Sequence, residues 1–190
     1  MDFLEREIES KGKVLPGNVL KVGSFLNHQI DVNLMTRIGK EIYAHFKDKG
    51  VNKILTVEAS GIAFALAAAQ NFNCNMVFAK KTAAANADGE AYFAECYSYT
   101  RQKNNILALP KEYLSSADNV LIVDDFLAHG NATTALRQIV EQAGAKMVGV
   151  AIAIEKGFQG GGDEMRNAGI DLLSLAIVDK MEDGKIMFRK

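Results

Sequence analysis

The stretch that decides the fold is Val120-Leu-Ile-Val-Asp-Asp-Phe-Leu-Ala-His-Gly-Asn-Ala-Thr-Thr134. Val120 to Val123 form a short aliphatic run without polar interruption, the pattern of a strand covered on both faces in a parallel sheet. Two adjacent carboxylates, Asp124 and Asp125, stand where that strand is predicted to end. A loop of small residues follows, Ala128-His129-Gly130-Asn131-Ala132, and Thr133, Thr134, Leu136, Ile139 and Val140 then read as a helix.

This order has a direct physical meaning. Backbone N–H groups of the loop and the first helical turn lack partners inside the helix and lie at the positive end of its dipole, so a phosphate is held there. Small side chains at Ala128, Gly130 and Ala132 let the backbone approach closely. The two acids would repel that phosphate and are better suited to vicinal hydroxyls or a cation. A ligand with both a phosphate and a cis-diol, a phosphorylated ribose, meets both demands.

Composition sets the outer bounds. The chain has 190 residues, 48% of them hydrophobic, enough for one domain with a full core. A formal net charge of −1 and no cluster of Lys and Arg argue against a nucleic-acid or membrane-surface protein. The N-terminus, Met1-Asp-Phe-Leu-Glu-Arg-Glu-Ile-Glu-Ser10, is charged and amphipathic rather than signal-like, and no apolar run spans a bilayer, so a cytoplasmic protein is expected. Cys74 and Cys96 lack metal-ligand spacing and are expected to be free thiols.

Outward from the central stretch, residues 2–11 are predicted to be a helix ending at Gly12, and Val19 to Val22 a brief strand. Asp31 is placed to cap a helix over 32–47, whose Leu34, Ile38, Ile42 and Phe46 repeat every four residues. Ile54 to Val57 is a buried strand running into Glu58-Ala59-Ser60-Gly61 and an alanine-rich helix, a second junction with free amides. Met76 to Ala79 is another strand, followed by Lys80 and Lys81. Residues 82–104 are predicted to be a mobile flap, with Ala91 to Thr100 and Ile106 to Leu109 pairing as a hairpin that shields the site from water. Met147 to Ile154 is a long strand delivering Glu155-Lys156-Gly157-Phe158 to the same edge as the acids. The glycines at 160–162 are read as a flexible loop, and Leu172 to Val178 with Lys185 to Phe188 as a closing hairpin. Together these give an α/β fold, a doubly wound and mainly parallel sheet with a core at about 50–155. A small hood from about 1–30 and 156–190 covers it.

The central stretch resembles the phosphoribosyl diphosphate (PRPP) signature of type I phosphoribosyltransferases, in which a hydrophobic run, two acids and a small-residue loop grip the ribose and its 5-phosphate. His129 to Asn131 departs from the Thr-Gly-Gly or Thr-Gly-Lys of many members. The resemblance implies that Asp124 and Asp125 serve the ribose in catalysis and that Ala128, His129, Gly130, Asn131 and Ala132 hold the 5-phosphate. It further implies that Ala59, Ser60, Gly61, Lys80 and Lys81 bind the diphosphate, although a lysine pair after a strand is more often a solvated strand end.

Val19-Leu-Lys-Val-Gly-Ser-Phe-Leu-Asn-His28 and Glu155-Lys-Gly-Phe-Gln159 extend the resemblance to bacterial xanthine phosphoribosyltransferases, over nearly the whole chain. That implies purine salvage from PRPP and xanthine, with the base near Leu20, Asn27, Lys156 and Phe158. Lys156 only donates hydrogen bonds and so favours an oxo group over an amino group at the purine 6-position. Phe158 could stack on the ring or belong to the hood core. Mg2+ is implied as cofactor, carried mainly by PRPP oxygens and meeting Asp124 and Asp125 through water, and a homodimer is implied as the assembly. Rival expectations are transfer to hypoxanthine, guanine or adenine, and a non-catalytic PRPP sensor, for which the chain offers no DNA-binding module. A hydrolase is excluded by the lack of a Gly-x-Ser-x-Gly elbow.

Overall fold

A computed structural model describes residues 2–82, 90–98, 103–182 and 184–190. The chain runs α1 (Asp2–Lys11), β1 (Lys13–Leu15), β2 (Val19–Lys21), α2 (Val32–Phe46), β3 (Lys53–Val57), α3 (Gly61–Phe72), β4 (Asn75–Thr82), β5 (Ala91–Ser98) and β6 (Lys103–Pro110). It continues through β7 (Asn119–Leu127), α4 (Asn131–Gln142), β8 (Lys146–Lys156), α5 (Gly161–Asn167), β9 (Leu172–Glu182) and β10 (Lys185–Phe188). One sheet carries eight strands in the order β10-β9-β8-β7-β3-β4-β6-β5. The strands from β4 through β3, β7 and β8 to β9 are parallel, while β6 and β10 run antiparallel to their neighbours.

Each face of the sheet is closed by its own apolar layer. On one, α1, α2 and α3 bury Leu4, Ile8, Ile38, Ile42, Phe46 and Phe64, all fully enclosed. On the other, α4 and α5 contribute Leu136, Ile139, Val140 and Met165. The four-residue spacing in α2 thus does what periodicity predicts, and Asp31 caps that helix by accepting from the N–H groups of Asn33 and Leu34 at 3.0 and 3.1 Å. Among the described residues no helix is long and apolar enough to cross a membrane.

Strands β3 and β7 are neighbours, yet the chain leaves β3 toward β4 and leaves β7 toward β8, in opposite directions across the sheet. Such a reversal opens a crevice beyond the carboxyl ends of the two strands, because their crossover helices lie on opposite faces. The crevice deepens here because β3 pairs with β7 only as far as Leu55↔Ile122, whereas β7 goes on pairing with β8 to Leu127↔Glu155.

Two features differ from the sequence expectation. Strand β7 does not stop at Val123: pairing with the 11-residue β8 carries it through both acids to Leu127, so Asp124 and Asp125 are strand residues. The glycines at 160–162 are no flexible loop, since Gly161 and Gly162 open α5 and are buried. A Cβ on Gly161 would lie 2.4 Å from the Ala128 carbonyl oxygen, so glycine is required by packing there. The closing hairpin forms, and its first strand, β9, also lies parallel beside β8, which fastens the tail to the main sheet. Of the expected flap, residues 83–89 and 99–102 lie outside the described residues. The remainder is the β5–β6 hairpin, in register from Ala91↔Pro110 to Ser98↔Lys103.

Candidate active site

The crevice at the β3/β7 reversal holds a cavity of about 400 Å³. Val57, Glu58 and Ser60 line it from the end of β3, Lys81 from β4, and Asp124 through Thr133 from β7 and the loop after it. Lys156 and Gln159 close one side, and Cys96, Tyr97 and Asn105 of the hairpin close another.

The two acids differ in environment. Asp124 is 5% exposed, and its Oδ1 accepts from the Asp125 backbone N–H at 2.9 Å. Gly61, the first residue of α3, packs so closely that a Cβ there would come within 2.1 Å of Thr56 Oγ1 and 2.8 Å of Asp124 Oδ1. Burial pushes the Asp124 carboxyl well above the ordinary carboxylate value, the Asp125 charge pushes it further, and Lys81 offsets only part of this. Asp125 is half-buried; its Oδ2 accepts from Asn27 Nδ2 at 3.2 Å and its Oδ1 from the Phe126 N–H at 3.0 Å.

The loop after β7 runs directly into a helix start. Gly130 takes a left-handed conformation, φ 82°, just ahead of the 12-residue α4, and a Cβ there would sit 2.8 Å from Met165 Cε. Ala128 through Thr133, the loop and the first helical turn, line the cavity, and the unpaired amides of a helix start are the groups that favour an anion. Gly161 N–H donates to the Ala128 carbonyl at 3.2 Å, so α5 buttresses the loop from behind. The Asn131 side chain donates from Nδ2 to the Tyr97 carbonyl at 2.9 Å, and Gln142 farther along α4 donates to the Phe93 carbonyl at 2.7 Å. Helix α4 thereby pins the hairpin edge beside the cavity.

On the β3 side, Glu58 Oε1 accepts from the Lys81 backbone N–H at 2.8 Å, which joins the β3 turn to β4. Successive strand residues face opposite ways, so only one of the lysine pair can enter the cavity. Lys81 does; Lys80 lies outside, its ammonium 5.9 Å from the Phe78 ring centre. Ser60 lines the cavity, whereas Ala59 and Gly61 do not.

Among the residues expected around a purine, Lys156 lines the cavity. Its Nζ donates to the Asn18 carbonyl at 3.3 Å and lies 6.0 Å from the Phe126 ring centre. Partial burial lowers its ammonium below the ordinary lysine value. Leu20 is buried in the β1–β2 hairpin above, and Asn27 reaches the site only through Asp125. Phe158 is 38% exposed and does not line the cavity: the single turn Gly157–Gln159 swings it outward and points Gln159 in. Phe126, with Tyr97 of the hairpin, lines the cavity instead.

Phe126, Glu58, Tyr97, Asn105 and Gln159 were not singled out from sequence. Phe126 lies inside the quoted stretch, but as an apolar residue next to a strand it carries no local sign of ligand contact. For Gln159 only the handedness of one turn decides which side chain faces in, and sequence carries no signal for that.

This chain belongs to the phosphoribosyl transferase domain family, whose pattern matches residues 21–168. It is 50% identical over 188 residues to the xanthine phosphoribosyltransferase of Ruminiclostridium cellulolyticum, covering 99% of both chains. It is 52% identical over 192 residues to the protein of the same name from Bifidobacterium longum, covering all of both. Among solved structures, the adenine phosphoribosyltransferase of Giardia lamblia complexed with 9-deazaadenine superposes with a TM-score of 0.75 at 21% identity, covering 94% of this chain and 98% of that one. The fold is therefore the α/β, mainly parallel phosphoribosyltransferase fold.

Proposed function

We propose that this protein transfers the 5-phosphoribosyl group of PRPP to xanthine, giving xanthosine 5'-monophosphate and diphosphate in purine salvage. The observation that carries the reading is the convergence of a phosphate cradle, an acid pair and a donor-only lysine on one cavity at the reversal point of the sheet. Full-length relatives at about 50% identity that bear the xanthine phosphoribosyltransferase name support the choice of base.

In this reading the amides of residues 128–132 take the 5-phosphate and Asp124 and Asp125 take the ribose hydroxyls. Ser60 and Lys81 face the diphosphate, and Lys156 donates to the purine 6-oxo group beside Phe126. Lys80 and Phe158, which point away from the cavity, are given no part in binding. As the bond from the anomeric carbon to diphosphate breaks, positive charge grows on the sugar and negative charge on the leaving group. The acids offset the first, and Lys81 with Ser60 offsets the second. No protein nucleophile is needed.

Mg2+ fits this donor set. The cavity offers carboxylates from Glu58, Asp124 and Asp125, and among the described residues no cluster of three or more ligating side chains forms a closed cage. An octahedral ion that keeps waters and substrate phosphates suits such a partial set, with Asp124 and Asp125 as the protein groups that would meet it. When bound, it would neutralise diphosphate charge and hold Asp124 ionised despite its burial.

The reading also includes a cytoplasmic homodimer. Cys74 and Cys96 as free thiols agree with a reducing compartment. A monomer mass from light scattering would remove the dimer. The deciding experiment is incubation with PRPP, MgCl2 and each purine in turn, followed by separation of the products. Nucleotide should form fastest with xanthine, as xanthosine monophosphate, and no nucleotide from any purine would overturn the assignment.

A further inference from the structure

We propose that Gln159 is a specificity-determining residue that reads the 2-position edge of the purine. Gln159 lines the cavity, and its Oε1 is buried without a hydrogen-bond partner among the described residues. Buried acceptors in native proteins are paired, so an unpaired carboxamide oxygen on a residue that lines a substrate cavity points to a donor that arrives with the ligand, met by a turn of the amide about its last bond.

The backbone around Gln159 is held on both sides. Gly157 packs under the Arg189 guanidinium, where a Cβ would meet Nη2 at 2.8 Å and Ile177 Cγ2 at 3.0 Å, while Gly161 N–H is tied to the Ala128 carbonyl at 3.2 Å. A side chain between two such anchors is presented rather than merely tolerated. Of the other amides near the cavity, Asn131 donates to Tyr97 and Asn27 to Asp125, while Asn105 lines it from the hairpin side, away from Lys156.

The ligand chemistry follows from the carboxamide. Either orientation of the amide offers one acceptor beside one donor. Xanthine carries ring N–H groups flanking a 2-oxo group, so an N–H beside a C=O matches the amide with two hydrogen bonds. Lys156, three residues earlier and able only to donate, is left for the 6-oxo group. Hypoxanthine has a C–H at position 2 and leaves the amide unpaired there. Guanine presents N1–H beside the 2-amino group, two donors in a row, which suits a carboxylate rather than an amide.

The inference rests on the xanthine reading above, and steady-state kinetics of the full chain on xanthine, hypoxanthine and guanine separate the two. Gln159→Leu should lower kcat/KM for xanthine about 10- to 100-fold while hypoxanthine changes less than about 3-fold and the KM for PRPP holds. Gln159→Glu should move the guanine-to-xanthine ratio toward guanine by about 10-fold or more, by pairing a carboxylate with two donors. An equal fall on all bases for Gln159→Leu, a rise in the KM for PRPP alone, or an unchanged guanine-to-xanthine ratio for Gln159→Glu would overturn the assignment. Should Gln159→Leu not fold, the Gln159→Glu ratio decides by itself. A wild-type chain inactive on every purine would instead sink the xanthine reading.

Discussion

Replacing Arg166 with alanine should destabilise the protein far more than a surface ion pair would allow. Glu155, near the end of β8, is fully buried, and both its oxygens accept from the Arg166 guanidinium, at 2.9 and 2.6 Å. The Ser174 hydroxyl donates to Oε2, and the backbone of Gly162 is so close that a Cβ there would lie 2.1 Å from Oε1. The carboxylate has no free path to water. Removing one partner of a buried pair costs about 3–5 kcal/mol because the other charge is stranded. Arg166 is itself 32% exposed, so some water can enter once it is gone, and the lower end, about 3 kcal/mol, applies. For a domain of this size that is a fall in Tm of about 6–12 °C. Differential scanning calorimetry at neutral pH measures it. The control is Glu155→Gln with Arg166→Met, which removes both charges and should recover about half the loss or more. A Tm drop under about 2 °C for the single variant, or a double variant that falls by the sum of the singles, would refute the stranded-charge account.

Asp124→Asn should abolish turnover, by about 100-fold or more, while raising stability at neutral pH. The native carboxyl titrates above its unfolded value of about 3.8, so its contribution is intact below that value and is lost as pH rises through the native one. Thermal melts should therefore favour the variant at pH 7–8 and show no advantage near pH 3; a variant less stable at pH 8 would contradict this. Lys156→Ala should raise the KM for the base about 10-fold or more and that for PRPP far less, and equal effects on both would remove Lys156 from the base. Gly61→Ala forces a methyl against Thr56 Oγ1 and Asp124 Oδ1, so it should cost about 1–3 kcal/mol in denaturant unfolding and weaken PRPP binding. An unchanged midpoint and unchanged KM would show that α3 can shift freely.

The central unit was legible because several local signals agree: an aliphatic run, small residues where backbone must approach a ligand, and helical spacing after them. Where the strand ended was not legible. Aspartate is depleted in strands, so Asp124 reads as a terminus, yet β8 supplies ladder partners as far as Leu127 and the ladder outweighs the propensity. The run Gly160-Gly-Gly162 reads as flexible for the same local reason, and only the close approach of α5 to Ala128 and Glu155 explains why glycines occupy the start of a packed helix. Lys80 and Lys81 are indistinguishable by type; the two-residue period of β4 separates them, and its phase is set by pairing with β3. The Glu155–Arg166–Ser174 cluster joins β8, α5 and β9, and nothing local in the sequence links the three.

Asp124 and Glu155 together show where this fold spends stability and where it recovers it. Both are enclosed carboxylates on adjacent parallel strands, at 5% and 0% exposure. Glu155 meets a guanidinium head-on and a hydroxyl besides, so its charge is satisfied within the protein. Asp124 meets the N–H of its own neighbour, the charge of Asp125 and only a distant lysine, so its charge is not. Equal burial with unequal pairing is hard to explain by folding alone, because a chain able to place Arg166 beside one acid could have neutralised the other or replaced it with an apolar residue at no loss of stability. In the proposed function the missing partner for Asp124 comes from outside the chain, as the ribose hydroxyls of PRPP and its cation, entering the cavity that Asp124 lines. Glu155, one residue before Lys156, anchors the end of the strand that brings Lys156 to the cavity, so the satisfied acid steadies the wall next to the unsatisfied one.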